Sequence, residues 1–147
     1  MITSFFGQYR FLSNFWPVRV VFDRVGYNSV ENAYQAAKTL NLDQRAEFVY
    51  CSQVEAKRLG SFVTIRDDWQ QVKFDIMFDL LQQKFSNPTL RARLLQTGSE
   101  QLIEGNTWDD RIWGCVWVDD RWIGQNRLGK MLMQIRREIY FNTLVTF

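Results

Sequence analysis

Three observations make this chain a mainly helical α+β protein with a small β-sheet. Apolar residues recur at helical spacing over 69–85 and 126–141, capping signals precede several shorter segments, and alternating apolar runs are brief. The expected form is a compact single domain spanning residues 1–147, because this length suits one core and no repeat, low-complexity tract or Pro/Gly-rich linker divides it.

In chain order, Ile2 to Phe6 reads as extended, a loop runs through Phe11 to Pro17, and Val18 to Phe22 alternates apolar residues at 18, 20 and 22. Asp23 to Asn28 reads as a turn. Asn28 with Glu31 resembles a capping box that opens a helix over about Ser29 to Leu40. Ser52 with Glu55 repeats the signal for a short helix stopping near Gly60. Asp67 and Asp68 start what reads as the longest helix, Trp69 to Phe85. Its apolar residues form two sets, Trp69/Val72/Ile76/Leu80 and Phe74/Phe78/Leu81/Phe85, so two faces are expected to be covered. Asn87-Pro88 caps a further helix ending before Gly98. Short strands at Gln101 to Glu104 and Ile112 to Val118 follow. The last helix, Asn126 to Phe141, aligns Leu128, Met131, Leu132, Ile135 and Ile139.

Composition narrows the chemistry. A hydrophobic fraction of 46% with 23% charged residues excludes disorder and rod-like folds. Aromatics reach 16%, including 6 Trp and 12 Phe, a stock sufficient for a core and for stacking a planar ligand. No run of about 18 apolar residues spans a membrane, and MITSFFGQYR lacks the features of a secretory signal, so a cytoplasmic protein with no membrane partner is expected. Cys51 and Cys115 then read as small buried hydrophobes. The net charge of +2 with scattered Lys and Arg provides no basic stripe for avid nonspecific nucleic-acid binding. With no histidine and two cysteines, Ser-His and Cys-His nucleophile schemes and ordinary zinc sites are absent. Neither a metal nor a cofactor is expected. Catalysis must run on Asp, Glu, Lys, Tyr or backbone groups.

Two segments carry candidate chemistry. On the helix 29–40, Val30, Ala33, Tyr34 and Ala37 form an apolar stripe, and Glu31, Gln35 and Lys38 a second line about 100° away. Glu31 and Lys38 are two turns apart, about 10 Å along the axis, a spacing that suits flanking a shared ligand. The same line also fits a solvated helix edge. The run from Glu104 to Gly114 packs two Trp and several carboxylates into eleven residues, either a loop where a flat ligand meets a carboxylate or a surface turn whose Trp side chains close the core. Gly124 to Lys130 lacks the spacing of a phosphate loop and marks only a helix start.

Seven blocks in order then resemble the NADAR family, the YbiA-like N-glycosidases. They are FLSNF at 11–15, SVENAYQAAK at 29–38, DW at 68–69, KF at 84–85, LLQTG at 94–98, EGNTW with DRIWG between 104 and 114, and GQNRLGKMLM with Arg136 from 124 onward. Together they cover nearly the whole chain. The resemblance implies a compact, mainly helical α+β domain that cleaves N-glycosidic bonds of ribose. The implied substrates are phosphorylated ribosylamino-pyrimidine intermediates of riboflavin synthesis, or ADP-ribose attached to guanine, including ADP-ribosylated guanine within nucleic acid. Residue by residue, it implies Glu31 as the catalytic carboxylate, Lys38 as the reactive amine and Asp110 as a third catalytic group. Asn14, Tyr34, Gln35, Trp69, Trp108, Trp113 and Asn126 would bind the substrate. The family often has His after the catalytic Glu, where this chain has Asn32.

The residue types suit such chemistry. In a glycosylamine, the exocyclic nitrogen lone pair can open the ribose to an imine, which a neutral Lys38 amine exchanges into a Schiff base that water hydrolyses. Glu31 would act as general acid and then base, and Asp110 would hold a ribose hydroxyl. Direct displacement by water with Glu31 as base is a second route. A non-catalytic ADP-ribose or nucleotide-binding module is the alternative function.

Overall fold

The structure is a computed structural model and describes residues 1–145. A 3₁₀ turn, Gly7–Leu12, is followed by β1 (Pro17–Phe22), β2 (Val25–Ser29), α1 (Val30–Ala37), α2 (Leu42–Ala46), α3 (Gln53–Leu59) and α4 (Trp69–Lys84). Then come α5 (Pro88–Gln96), β3 (Val116–Val118), β4 (Arg121–Ile123) and α6 (Arg127–Val145). The class is α+β and mainly helical, as the sequence predicts. In place of one small sheet, the described residues form two antiparallel pairs, β1–β2 and β3–β4. Among the described residues no helix is long and apolar enough to cross a membrane. The chain divides into two units, Asn14–Lys84 and the remainder.

Within Asn14–Lys84, the turn read over 23–28 contracts to Asp23 and Arg24, with φ of 47° and 69°. Two consecutive left-handed residues match the twist of a tight hairpin, so the chain reverses at once and Val25 already begins β2. Val20 pairs with Tyr27, and both are buried. β2 runs directly into α1. The cap is therefore Ser29, one residue later than the sequence suggests, and its hydroxyl accepts from the Asn32 N–H at 3.0 Å. Asn28 is exposed and donates to the Val49 carbonyl instead. All eight residues of α1 are buried, because β1, β2, α3 and α4 pack around it. This overturns a solvated edge along Glu31 and Gln35.

α3 forms as predicted, with Ser52 accepting from the Glu55 N–H. α2, five residues capped by Asn41, is too short for its period to show in sequence. α4 buries Trp69, Met77, Leu80, Leu81 and Lys84. Val72, Phe74, Ile76 and Phe78 are only half-buried, and Met77 belongs to neither predicted set, so the two covered faces reduce to one deep stripe with apolar shoulders. At 16 residues α4 is also shorter than α6, which has 19. Burial of Lys84 pulls its ammonium down to about 7.

In the other unit, the extended N-terminal segment pairs in parallel with residues 101–105. Ile2 donates to Gln101, Ile103 to Ile2, and Gly105 to Thr3. Residues 7–12 wind into the 3₁₀ turn that buries Phe11 and Leu12. Asn87 caps α5, as its Asn-Pro pair predicts. β3 begins at Val116 rather than Ile112, and β4 returns through Asp119 and Asp120, both at positive φ. An Asp-Asp reversal carries no glycine to announce it. On α6, Leu128, Leu132 and Ile135 are buried and Met131 and Ile139 half-buried. Both cysteines are free thiols; Cys115 is buried as expected, whereas Cys51 is half-buried.

Candidate active site

Glu31 occupies the first turn of α1, where backbone N–H groups and the helix dipole favour a carboxylate. Its own N–H donates to the Asn14 carbonyl at 3.0 Å. The side chain is only 7% exposed, and Oε1 accepts a 2.8 Å bond from Gln35 Nε2 one turn on. Asn14 is in turn tied to α4, its Nδ2 lying 3.6 Å from Met77 Sδ.

Lys38 caps the other end of α1 and is half-buried. Burial lowers its pKa from the ordinary lysine value, the Glu31 carboxylate opposes that shift, and the Lys73 and Lys57 charges reinforce it. Its Nζ lies 5.8 Å from the Tyr34 ring centroid. Tyr34 packs on Trp69 at 5.1 Å between centroids with a 52° tilt. Asn14, Glu31, Tyr34, Gln35, Lys38 and Trp69 thus all belong to one unit, organised on α1. Trp69 is 5% exposed, so it braces Tyr34 from within the core.

Asp110, Trp108, Trp113 and Asn126 belong to the other unit. Asp110 Oδ1 accepts from the N–H groups of Ile112 and Trp113 at 3.1 and 2.9 Å, which folds the loop around its carboxylate. Asn106, absent from the predicted site, builds this loop. It is buried, accepts from the Asp110 N–H at 2.9 Å and donates to the Asp110 carbonyl at 2.8 Å. Trp108 is 51% exposed and Trp113 half-buried. Asn126 is buried with its amide bonded to backbone, accepting from Glu104 N–H and donating to Leu102 C=O. It holds the entry to α6, a framework role the sequence does not reveal.

Asn32 is also framework. Fully buried, it donates to the carbonyls of Phe48 and Cys51, both at 2.9 Å, and accepts from the Ser29 hydroxyl. One residue along a helix turns the side chain about 100° from Glu31. Sequence reading also overlooks Lys57 and Lys73 beside Lys38, since charges from separate helices carry no linear signature.

A model of the NADAR domain matches residues 4–140, crossing both units. The chain belongs to the NADAR family. A Nostoc punctiforme protein named an N-glycosidase is 36% identical over 89% of this chain and 86% of its own length. N-glycosidase YbiA of Escherichia coli is 34% identical over 90% of this chain and 82% of its own. Its NMR structure covers 97% of this chain and 87% of that one, with a TM-score of 0.81 at 31% identity. A maize chloroplastic protein named riboflavin biosynthesis protein PYRR is 34% identical over 80% of this chain, a match that takes in 20% of the larger protein. The enzyme class of this NADAR protein is that of its full-length relatives, an N-glycosidase.

Proposed function

We propose that this NADAR protein hydrolyses the bond between ribose C1 and an exocyclic amine of a nucleobase-like group through a Schiff base on Lys38. The observation that carries the reading is the pairing on α1 of a buried carboxylate, Glu31, with a lysine whose pKa burial and neighbouring cations lower. A neutral amine is the nucleophilic form, and a lowered pKa enlarges its share near neutral pH.

The exocyclic nitrogen donates its lone pair to C1, the bond from C1 to the ring oxygen breaks, and that oxygen takes a proton from Glu31. Lys38 Nζ adds to the resulting C1 imine, and the exocyclic amine leaves with a proton. Water, deprotonated by the Glu31 carboxylate, adds to the lysine imine; Lys38 departs and the sugar closes again. Proton transfers of this kind are typically worth about 10²- to 10⁴-fold. In this reading Asn14 and Tyr34 contribute to substrate binding beside Glu31 and Lys38, and no cofactor takes part. Phosphorylated ribosylamino-pyrimidines are the favoured substrate, supported by the riboflavin name of the maize relative. ADP-ribosyl-guanine presents the same bond and is the second substrate to test.

Borohydride added during turnover of either compound is expected to trap a ribosyl or ADP-ribosyl adduct on Lys38, visible by intact mass and absent from Lys38→Ala. NAD should survive, because its cationic nicotinamide nitrogen has no lone pair with which to open the ring. Brisk NAD hydrolysis, or full activity in Lys38→Ala, would move the chemistry to a carboxylate-only displacement by Glu31.

A further inference from the structure

Gly60 has no conformational reason to be glycine. It follows α3 with φ −59° and ψ −21°, right-handed helical values open to any residue, and its N–H continues the helix by donating to Ala56 at 2.9 Å. The reason is spatial. A Cβ on Gly60 would fall 1.8 Å from Gln35 Oε1, 2.7 Å from Gln35 Cδ and 3.3 Å from Gln35 Cβ. Such an intrusion is tolerable when a flexible side chain can swing into solvent, but Gln35 is only 6% exposed and lies on a helix enclosed on every turn.

What Gln35 does in that slot is to support Glu31. Its Nε2 donates to Glu31 Oε1, while its own Oε1 is buried against Gly60 without a hydrogen-bond partner. Burying an acceptor unsatisfied is costly, so the amide is oriented by the bond it donates rather than by any it accepts. We propose that Gln35 and Gly60 are positioning residues for the Glu31 carboxylate: the missing side chain at 60 keeps the slot in which the Gln35 amide holds Glu31 in one rotamer. Gln35 thereby acts through Glu31 and not by touching the substrate. This inference rests on the reading of Glu31 as the proton-transfer group.

The test is a double-mutant cycle of Gly60→Ala and Gln35→Ala, with Gln35→Met as a variant that keeps bulk and removes the donor. The assay substrate is a ribosylamino-pyrimidine phosphate, and folding is followed by circular dichroism. Displacing a catalytic group by a fraction of an ångström to an ångström costs roughly 10- to 100-fold. Gly60→Ala and Gln35→Met should each lose that much in kcat with KM nearly unchanged. The double Ala variant should be no worse than Gln35→Ala alone, since with the amide gone the new methyl meets only the Cβ of residue 35, at 3.3 Å, and no longer displaces a group bonded to Glu31. A KM increase at constant kcat in Gln35→Met would make Gln35 a substrate contact and overturn the proposal, as would losses that multiply in the double variant. The side-chain amide resonance of Gln35 in ¹⁵N spectra provides a readout independent of turnover: it should shift in both Gly60→Ala and Glu31→Gln, and an unmoved resonance in either refutes the contact. Full activity in Glu31→Gln would instead defeat the proton-transfer reading while leaving that contact standing.

Discussion

At the scale of single residues, Lys38 is where opposing effects meet. A helix C-terminus ordinarily favours a cation, and the Glu31 carboxylate does so as well, yet burial with the Lys73 and Lys57 charges outweighs them and lowers the pKa. The reacting amine is neutral, so activity rises as pH passes upward through the Lys38 pKa, and a lowered pKa brings that rise toward neutrality. Removing a neighbouring positive charge with Lys73→Gln should raise the pKa and move the ascending limb of kcat/KM to higher pH; a full pH profile of variant and wild type checks this. An unmoved limb would mean that another group sets it. The spacing from Glu31 to Lys38 is visible in the sequence because helical period fixes which residues share a line. Lys73 reaches this neighbourhood only because α4 packs on α1, which no local pattern records.

At the scale of elements, Trp69 and Trp108 divide by what carries them. Trp69 opens α4 and is buried against Tyr34, whereas Trp108 is half-exposed in the loop folded around Asp110. Trp69→Ala should therefore cost on the order of 3–5 kcal/mol of stability by leaving a cavity. Trp108→Ala should leave the melting temperature within a few degrees of wild type while weakening saturable quenching of intrinsic fluorescence by a nucleotide-like ligand. Thermal melts and fluorescence titrations of the two variants test the division, and a large stability loss in Trp108→Ala would return that residue to the core. Caps at Ser52 and Asn87 are legible because a side-chain oxygen three residues ahead of an N–H is a local event. β2 and β4 are not, since each starts after a two-residue reversal of aspartates or Asp-Arg in which no glycine marks the left-handed backbone.

At the scale of the whole molecule, the two units are each roughly 70 to 80 residues long, near the size below which one core rarely stabilises a fold by itself. The segment Asn14–Lys84 is inserted between residue 13 and residue 85 of the other unit, and the family match crosses both junctions. Residues 1–147 are accordingly expected to unfold in one cooperative transition, with calorimetric and van't Hoff enthalpies equal. Two resolved transitions, or a folded fragment 14–84, would make each unit a domain.

By itself the amino-acid sequence determined the class, the principal helices, the family and the line of Glu31, Gln35 and Lys38, because periodicity, capping and ordered motifs are properties of neighbours along the chain. Tertiary structure decided which of these groups are buried. The strands and helices packed around α1 turn a line that by its pattern also fits a wet helix edge into an enclosed carboxylate and a lysine of lowered pKa. Within each unit, folding likewise makes backbone ties of polar residues inside the motifs, Asn32 to Phe48 and Cys51 in one and Asn126 to Leu102 and Glu104 in the other. Desolvation depends on what lies across from a residue in space, and that is set by long-range packing rather than by the residues beside it in the chain.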